Sequence, residues 1–183
     1  MKKFLKVLLF LIVILSIGFV YYSKVYKIKN DIEVVKNGLI KLMNRSTVII
    51  KDIDVKEELN IDNKKYVFFI INNKLGDAEL TKGINNKYKI NTVGYGSGSL
   101  RDEISKTNKG KYLILKGKNV DNKIAYIKLL LGDNEYKINI PEKEYYMVYC
   151  SVPNETERTF LDINNVKFYN ESDNDITDDI LKN

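Results

Sequence analysis

From Val7 to Tyr22 the chain reads VLLFLIVILSIGFVYY, sixteen residues without a charge. A run this apolar needs a medium other than water, so its fate decides what the rest of the chain can be. As an α-helix it spans about 24 Å, or about 28 Å with Phe4 and Leu5, close to the hydrocarbon thickness of a bilayer. Lys2, Lys3 and Lys6 stand before it, and Tyr21, Tyr22 and Tyr26 close it. Cations that snorkel and aromatic rings at the far end suit the two interfaces of a membrane.

Two fates compete for residues 1–24. A cleaved signal peptide has the same basic start, and Ser16-Ile17-Gly18 offers a small-x-small site. The apolar run continues past that site through Phe19–Tyr22, which favours an uncleaved signal-anchor. No cysteine stands near the end of the run to take a lipid. A short basic start before an apolar run is the ordinary export geometry, so the expected orientation is N-terminus in the cytoplasm and domain outside. Lysines on the far flank oppose a simple positive-inside reading.

Charge narrows the partners. The net charge is +6, and the first 30 residues hold six lysines and no acid. Those six account for the whole excess, leaving 24 basic and 24 acidic residues beyond them. A neutral domain has no basic field to release counterions from DNA or RNA, so no nucleic-acid partner is expected.

Beyond the run, Val25, Ile28, Ile32, Val35, Leu39 and Leu42 recur at intervals of 3, 4, 3, 4 and 3. That period predicts an amphipathic, membrane-proximal helix over residues 25–45. The seam can dimerise two chains as a short coiled coil. It can equally lie on the chain's own domain, which fewer than three heptads and Gly38 favour. Oligomeric state is left open.

From residue 46 to 170 the grammar is that of strands. Thr47–Val55, Lys65–Ile71, Tyr88–Val93, Lys111–Lys116, Glu144–Ser151, Thr159–Leu161 and Val166–Tyr169 are candidates. Lys123–Ile140 reads as a hairpin turning at Gly132-Asp133-Asn134. Glu79–Lys82 and Leu100–Ser105 read as short helical turns. Tyr66, Tyr88, Tyr112 and Tyr136 recur at spacings of 22, 24 and 24, each opening a strand after a turn-like residue. The spacing implies one strand pair per period. The expected fold is therefore mainly β: an antiparallel sandwich or meander of about eight strands, preceded by a transmembrane helix and a membrane-proximal helix. Residues 171–183 read as an acidic flexible tail with one helical turn over Ile176–Leu181.

The chemistry is defined first by what is missing. With no histidine and one cysteine, Ser-His-Asp and Cys-His catalysis and structural zinc are excluded. Period-two alternation puts Cys150 with Val148 and Tyr146 on one strand face, as a small hydrophobe. Gly94, Tyr95, Gly96, Ser97, Gly98 and Ser99 form the favoured ligand-contacting loop, although the phosphate-loop lysine is absent. Asp173, Asp175, Asp178 and Asp179 lack the glycine and terminal glutamate of a calcium loop and read as a solvated tail. No catalytic, cofactor or metal residue is assigned.

The composition, rich in Lys, Asn and Ile, resembles that of small single-pass envelope proteins of low-GC Gram-positive bacteria. Together these features imply a membrane-anchored, extracytoplasmic binding or assembly module that is not an enzyme and whose partner is an envelope protein or polymer. A carboxylate-dependent hydrolase of cell-wall glycan is the first alternative, recognisable by two acids about 5–10 Å apart in a cleft. A cytoplasm-facing domain docked on a membrane complex is the second.

Overall fold

The computed structural model describes residues 2–45 and 49–181. The first helix, α1 (Lys2–Val25), is continuous, and its Lys3–Val25 portion is long and apolar enough to cross a membrane. The rest of the chain covers none of that apolar window.

α1 stops at Val25, and the chain turns extended. Ile28 exchanges two backbone hydrogen bonds with Tyr88, of 3.0 and 2.7 Å. The Asp31 carboxylate then accepts from Val34 N–H at 3.0 Å and caps α2 (Ile32–Met43). The apolar seam over residues 25–45 is thus split between a helix end, a bridge and a second helix. Val35, Leu39 and Met43 lie buried against the chain's own sheet. Gly38 is a site of close approach: a Cβ there would stand 3.1 Å from the Ile28 side chain and 3.2 Å from that of Ile90.

Among the described residues ten strands follow, all antiparallel, in three sheets. The first is a meander of β1 (Asp54–Ile61), β2 (Lys64–Ile71), β3 (Lys74–Lys82) and β4 (Tyr88–Gly96). Asn72 and Asn73, both at positive φ, make the tight turn between β2 and β3. The second sheet takes β5 (Leu100–Lys106), β6 (Lys111–Lys118) and β9 (Tyr145–Val152), with β6 in the middle. The third has β7 (Tyr126–Leu131) between β8 (Asn134–Asn139) and β10 (Val166–Tyr169). The four spaced tyrosines fall on β2, β4, β6 and β8.

The sheets stack. α2 covers one face of the first sheet through Val67, Phe69, Ile71, Ala78 and Leu80. The other face meets the second sheet, with Ile61 and Tyr66 against Ile114. Leu113 and Leu115, on the opposite side of β6, pack against Ile127, Leu129 and Ile138 of the third sheet. A strand buried on both faces reads as an unbroken apolar run, which explains KYVFFII in β2 and YLIL in β6.

Several expectations change. Of Thr47–Val55, residues 47–48 lie outside the described residues and the strand begins only at Asp54. Glu79–Lys82 and Leu100–Ser105 are strand, in β3 and β5, not helical turns. Glu79, Arg101 and Glu103 face the space between the first two sheets instead of water, so alternation by polarity is lost on them. Thr159–Leu161 is irregular, held to β5 by Ile104 N–H donating to the Thr159 carbonyl at 2.8 Å. Within the acidic C-terminal stretch, α3 (Thr177–Leu181) forms, and Ile176 and Ile180 pack on the core of the second and third sheets.

Candidate functional site

Titratable chemistry concentrates between the first and second sheets, where β3 lies over β5. Period-two alternation brings Asp77 and Glu79 of β3 to face Arg101, Glu103 and Ser105 of β5 and Lys116 of β6. The Lys116 ammonium is fully buried, 2.7 Å from Asp77 Oδ2 and in contact with Glu103 Oε1. Arg101 clasps the other Asp77 oxygen with two nitrogens, at 2.7 and 2.6 Å. Glu79 accepts from Lys64 and Asn91 on one oxygen and from Ser105 on the other, all at 2.5 Å. Burial pushes the Glu103 carboxyl above its ordinary range, against the pull of Lys116. Burial also acts to raise Glu79, but hydrogen bonds from Lys64, Ser105 and Asn91 outweigh it and hold it low. These acids are committed to partners inside a layer. They do not form an acid pair across a cleft.

An open site lies at the end of the strands remote from α1. There a groove of about 1100 Å³ is walled by the β2–β3 turn (Asn73), the β4–β5 connection (Gly98, Ser99), the end of β6 and the segment after it (Lys118, Val120, Asn122), and α3 with the residue before it (Ile180, Ile176). Its floor is apolar, through Leu75 and the two isoleucines, and its rim carries amides, hydroxyls, Lys118, Lys123, Glu171 and Asp179. Such a mixture of an apolar base with a few directional polar groups suits a ligand of mixed polarity. Ser99 Oγ donates to the Ile180 carbonyl at 2.8 Å, fastening α3 to the glycine-containing connection.

The proposed loop residues divide. Gly94, Tyr95 and Gly96 continue β4, opposite Asp77, Gly76 and Leu75. Arg101 lies over the two glycines, 3.6 and 3.4 Å from where their Cβ atoms would be. Ser97, Gly98 and Ser99 make the turn, Gly98 at φ 134°, and only Gly98 and Ser99 of the six line the groove. No helix follows, so the arrangement is not a phosphate loop at a helix start.

Cys150 shares its strand face with Val148 and Tyr146, as alternation requires, and burial pushes its thiol up to about 11. A thiol held so far from ionisation is a poor nucleophile. In the C-terminal stretch Asp173 accepts from Tyr126 Oη at 2.8 Å, and Asp175 accepts from Thr177 and pairs with Lys167. Among the described residues no three such side chains are grouped to hold a metal ion.

One surface escaped sequence reasoning. Register sets Lys167, Lys128 and Lys137 side by side across β10, β7 and β8. Tyr126 and Tyr169 stack at 4.9 Å beside them, with the Lys137 ammonium 3.8 Å from the Tyr126 ring centre. Each lysine sits between apolar residues in sequence, so the signal was a strand alternation. The row itself needs the register.

Comparison with protein-family models, curated proteins and solved structures finds no match to this chain.

Proposed function

We propose that this chain is a single-pass membrane protein whose β domain, held outside the bacterial cytoplasm, is a non-catalytic binding or assembly module for an envelope protein or polymer. The observation that carries this reading is the placement of the groove. α1 joins the first sheet at the β3–β4 turn, and the groove borders the β2–β3 turn at the other end of the same strands. Eight or nine strand residues separate the two ends, on the order of 25–30 Å. An anchor at one pole and an amphiphilic groove at the other suit a domain that presents a binding surface away from the bilayer. Asp77, Glu79 and Glu103 are each tied to a cation and Asp102 accepts from Leu161 N–H, which argues against a free acid and base for glycan hydrolysis.

The test uses the full chain in nanodiscs, mixed with purified cell-wall glycan or envelope protein fractions. Retention by one component, weakened at least about tenfold by Val120→Trp with Lys118→Glu in the groove, supports the reading. Turnover of any of these polymers, abolished by Glu171→Gln or Asp179→Asn, overturns it. Thiol labelling of intact cells at Lys123→Cys separates an outside domain from a cytoplasmic one.

A further inference from the structure

The pole that receives α1 is built as tightly as the groove is open. Tyr22 on the last turn of the helix and Tyr26 just beyond its end stack at 4.5 Å. The Tyr22 hydroxyl accepts from Ile84 N–H at 2.6 Å, and the Asn85 amide donates to the Tyr26 carbonyl at 3.0 Å. Gly83 lets the turn come this close, since a Cβ there would stand 2.4 Å from the Tyr22 oxygen. The β3–β4 turn is therefore clamped to the end of the apolar helix, and Ile84 at its tip is 89% exposed.

A single exposed isoleucine means little by itself. Here its depth is fixed relative to a helix whose end carries the aromatic rings. Lys24, Lys27 and Lys29 are exposed at and just beyond the helix end; Lys87 of the turn is half-buried, and beside Ile84 are the exposed Lys82 at the end of β3 and Lys109 of the β5–β6 turn. That last turn is joined to the β1–β2 turn by Asn108 N–H donating to Asn63 at 2.9 Å and by Thr107 donating to Asp62 at 2.6 Å. Asp62, the acid of these three turns, is occupied by Thr107 and lies 3.6 Å from the Lys109 ammonium. Asp31 is spent on the α2 cap.

We propose that this pole is a lipid-docking surface: the Gly83–Lys87 turn lies in the headgroup layer, Ile84 directed at the acyl boundary and the lysines at anionic phospholipid headgroups. The proposal rests on the reading of α1 as a membrane anchor. If α1 spans, Tyr22 sits at the interface, and a 2.6 Å hydrogen bond leaves the turn at the same depth. An interfacial group need enter only about 5–10 Å to reach the acyl boundary, within range of one isoleucine side chain and its loop. Lysines this close to an anionic surface lie within a Debye length of it and are drawn to it. The lysines beyond the apolar run then have a structural partner on whichever side of the membrane they stand.

The experiment uses the full chain in a Cys150→Ser background, reconstituted into phosphatidylcholine vesicles containing phosphatidylglycerol and nitroxide-bearing lipids. An environment-sensitive fluorophore is placed at Ile14→Cys, Ile84→Cys or Val120→Cys in turn. The expected result is strong quenching at 14, quenching at 84 several-fold above that at 120, and loss of much of the signal at 84 without phosphatidylglycerol. Lys82→Gln, Lys87→Gln and Lys109→Gln together should reproduce that loss. Quenching at 14 with no excess at 84 over 120 overturns lipid docking and leaves the anchor standing. An unquenched label at 14 overturns the anchor reading, and the docking proposal with it. Quenching at 84 that ignores both lipid charge and the lysines overturns the assignment to anionic headgroups.

Discussion

The second sheet has two neighbours and meets them in opposite ways. Towards the third sheet it presents Leu113, Leu115, Ile104 and Tyr146, and the space is filled by aliphatic side chains with the rings of Tyr146, Tyr136 and Phe168. Towards the first sheet the space is divided: Ile61, Tyr66 and Ile114 fill the part near β1 and β9, while Asp77, Glu79, Arg101, Glu103 and Lys116 fill the part near β3 and β5. The same strand, β6, serves both, with Leu115 and Lys116 on opposite faces. An apolar layer holds by area and tolerates small shifts. An ionic layer holds only in one register, because a displaced partner leaves a charge buried without company. The first and second sheets are thus matched by pairing, and the second and third by packing.

Removing one partner from the ionic layer should do the most harm. Lys116→Met leaves Asp77 and Glu103 facing each other with only Arg101 to offset them, and should cost about 4 kcal/mol in denaturant titration. Replacing Lys116→Met and Glu103→Leu together should recover most of that loss, since Asp77 keeps its pair with Arg101 and no buried charge is orphaned. If the double variant is as unstable as the single one, the layer is not governed by charge pairing.

In the apolar layer Leu113→Ala removes a fully buried side chain and should cost about 3 kcal/mol, the ordinary range for a core cavity. Here no second substitution at a charged position should repair the loss. The two layers are distinguished by that difference in rescue more than by the size of the first effect.

A smaller effect separates two acids within the ionic layer. Glu79 is held low, so its contribution is present above the ordinary glutamate value of about 4.3 and is lost as pH falls through its lower folded value. Glu103 is held high by burial, so the folded state binds its proton first. Between about 4.3 and its raised value, stability from this group increases as pH falls. Glu103→Gln deletes that opposing trend. Its denaturation midpoint should therefore fall more steeply than that of the unaltered chain as pH is lowered across that window, and parallel profiles would show that Glu103 titrates alike in both states.

The sequence carried the fold class because hydrophobic runs and turn residues act locally. KYVFFII, YLIL and the hairpin around Gly132 each announce themselves within eight residues or so. LRDEIS did not, because Arg101, Asp102 and Glu103 lose their meaning as surface residues once Asp77 of the first sheet, Leu161 N–H and Lys116 of β6 supply partners. The same reason hid the ionic layer: its pairs are 13 to 39 residues apart and depend on which strands stack. The groove was half visible. Gly98 and Ser99 stand out through backbone freedom, but Lys118 and Val120 reach the site only by the stacking of the sheets, and Ile176 and Ile180 only through the third sheet's return. The helical period after the apolar run pointed to Val35 and Leu39 correctly, yet nothing local foretold that Ile28 would leave the helix to join a strand.

That junction has a mechanical meaning. Many anchored domains hang from a slack linker, which passes on tension but no orientation. Here the chain leaves α1 and within three residues is hydrogen-bonded into β4 at Tyr88, while Tyr22 grips the neighbouring turn. A pull applied at the groove would run lengthwise along β2 and β3, loading their hydrogen bonds in shear, many at once, before it reached the helix. The load path is stiff from end to end, so force and orientation at one pole are delivered to the other.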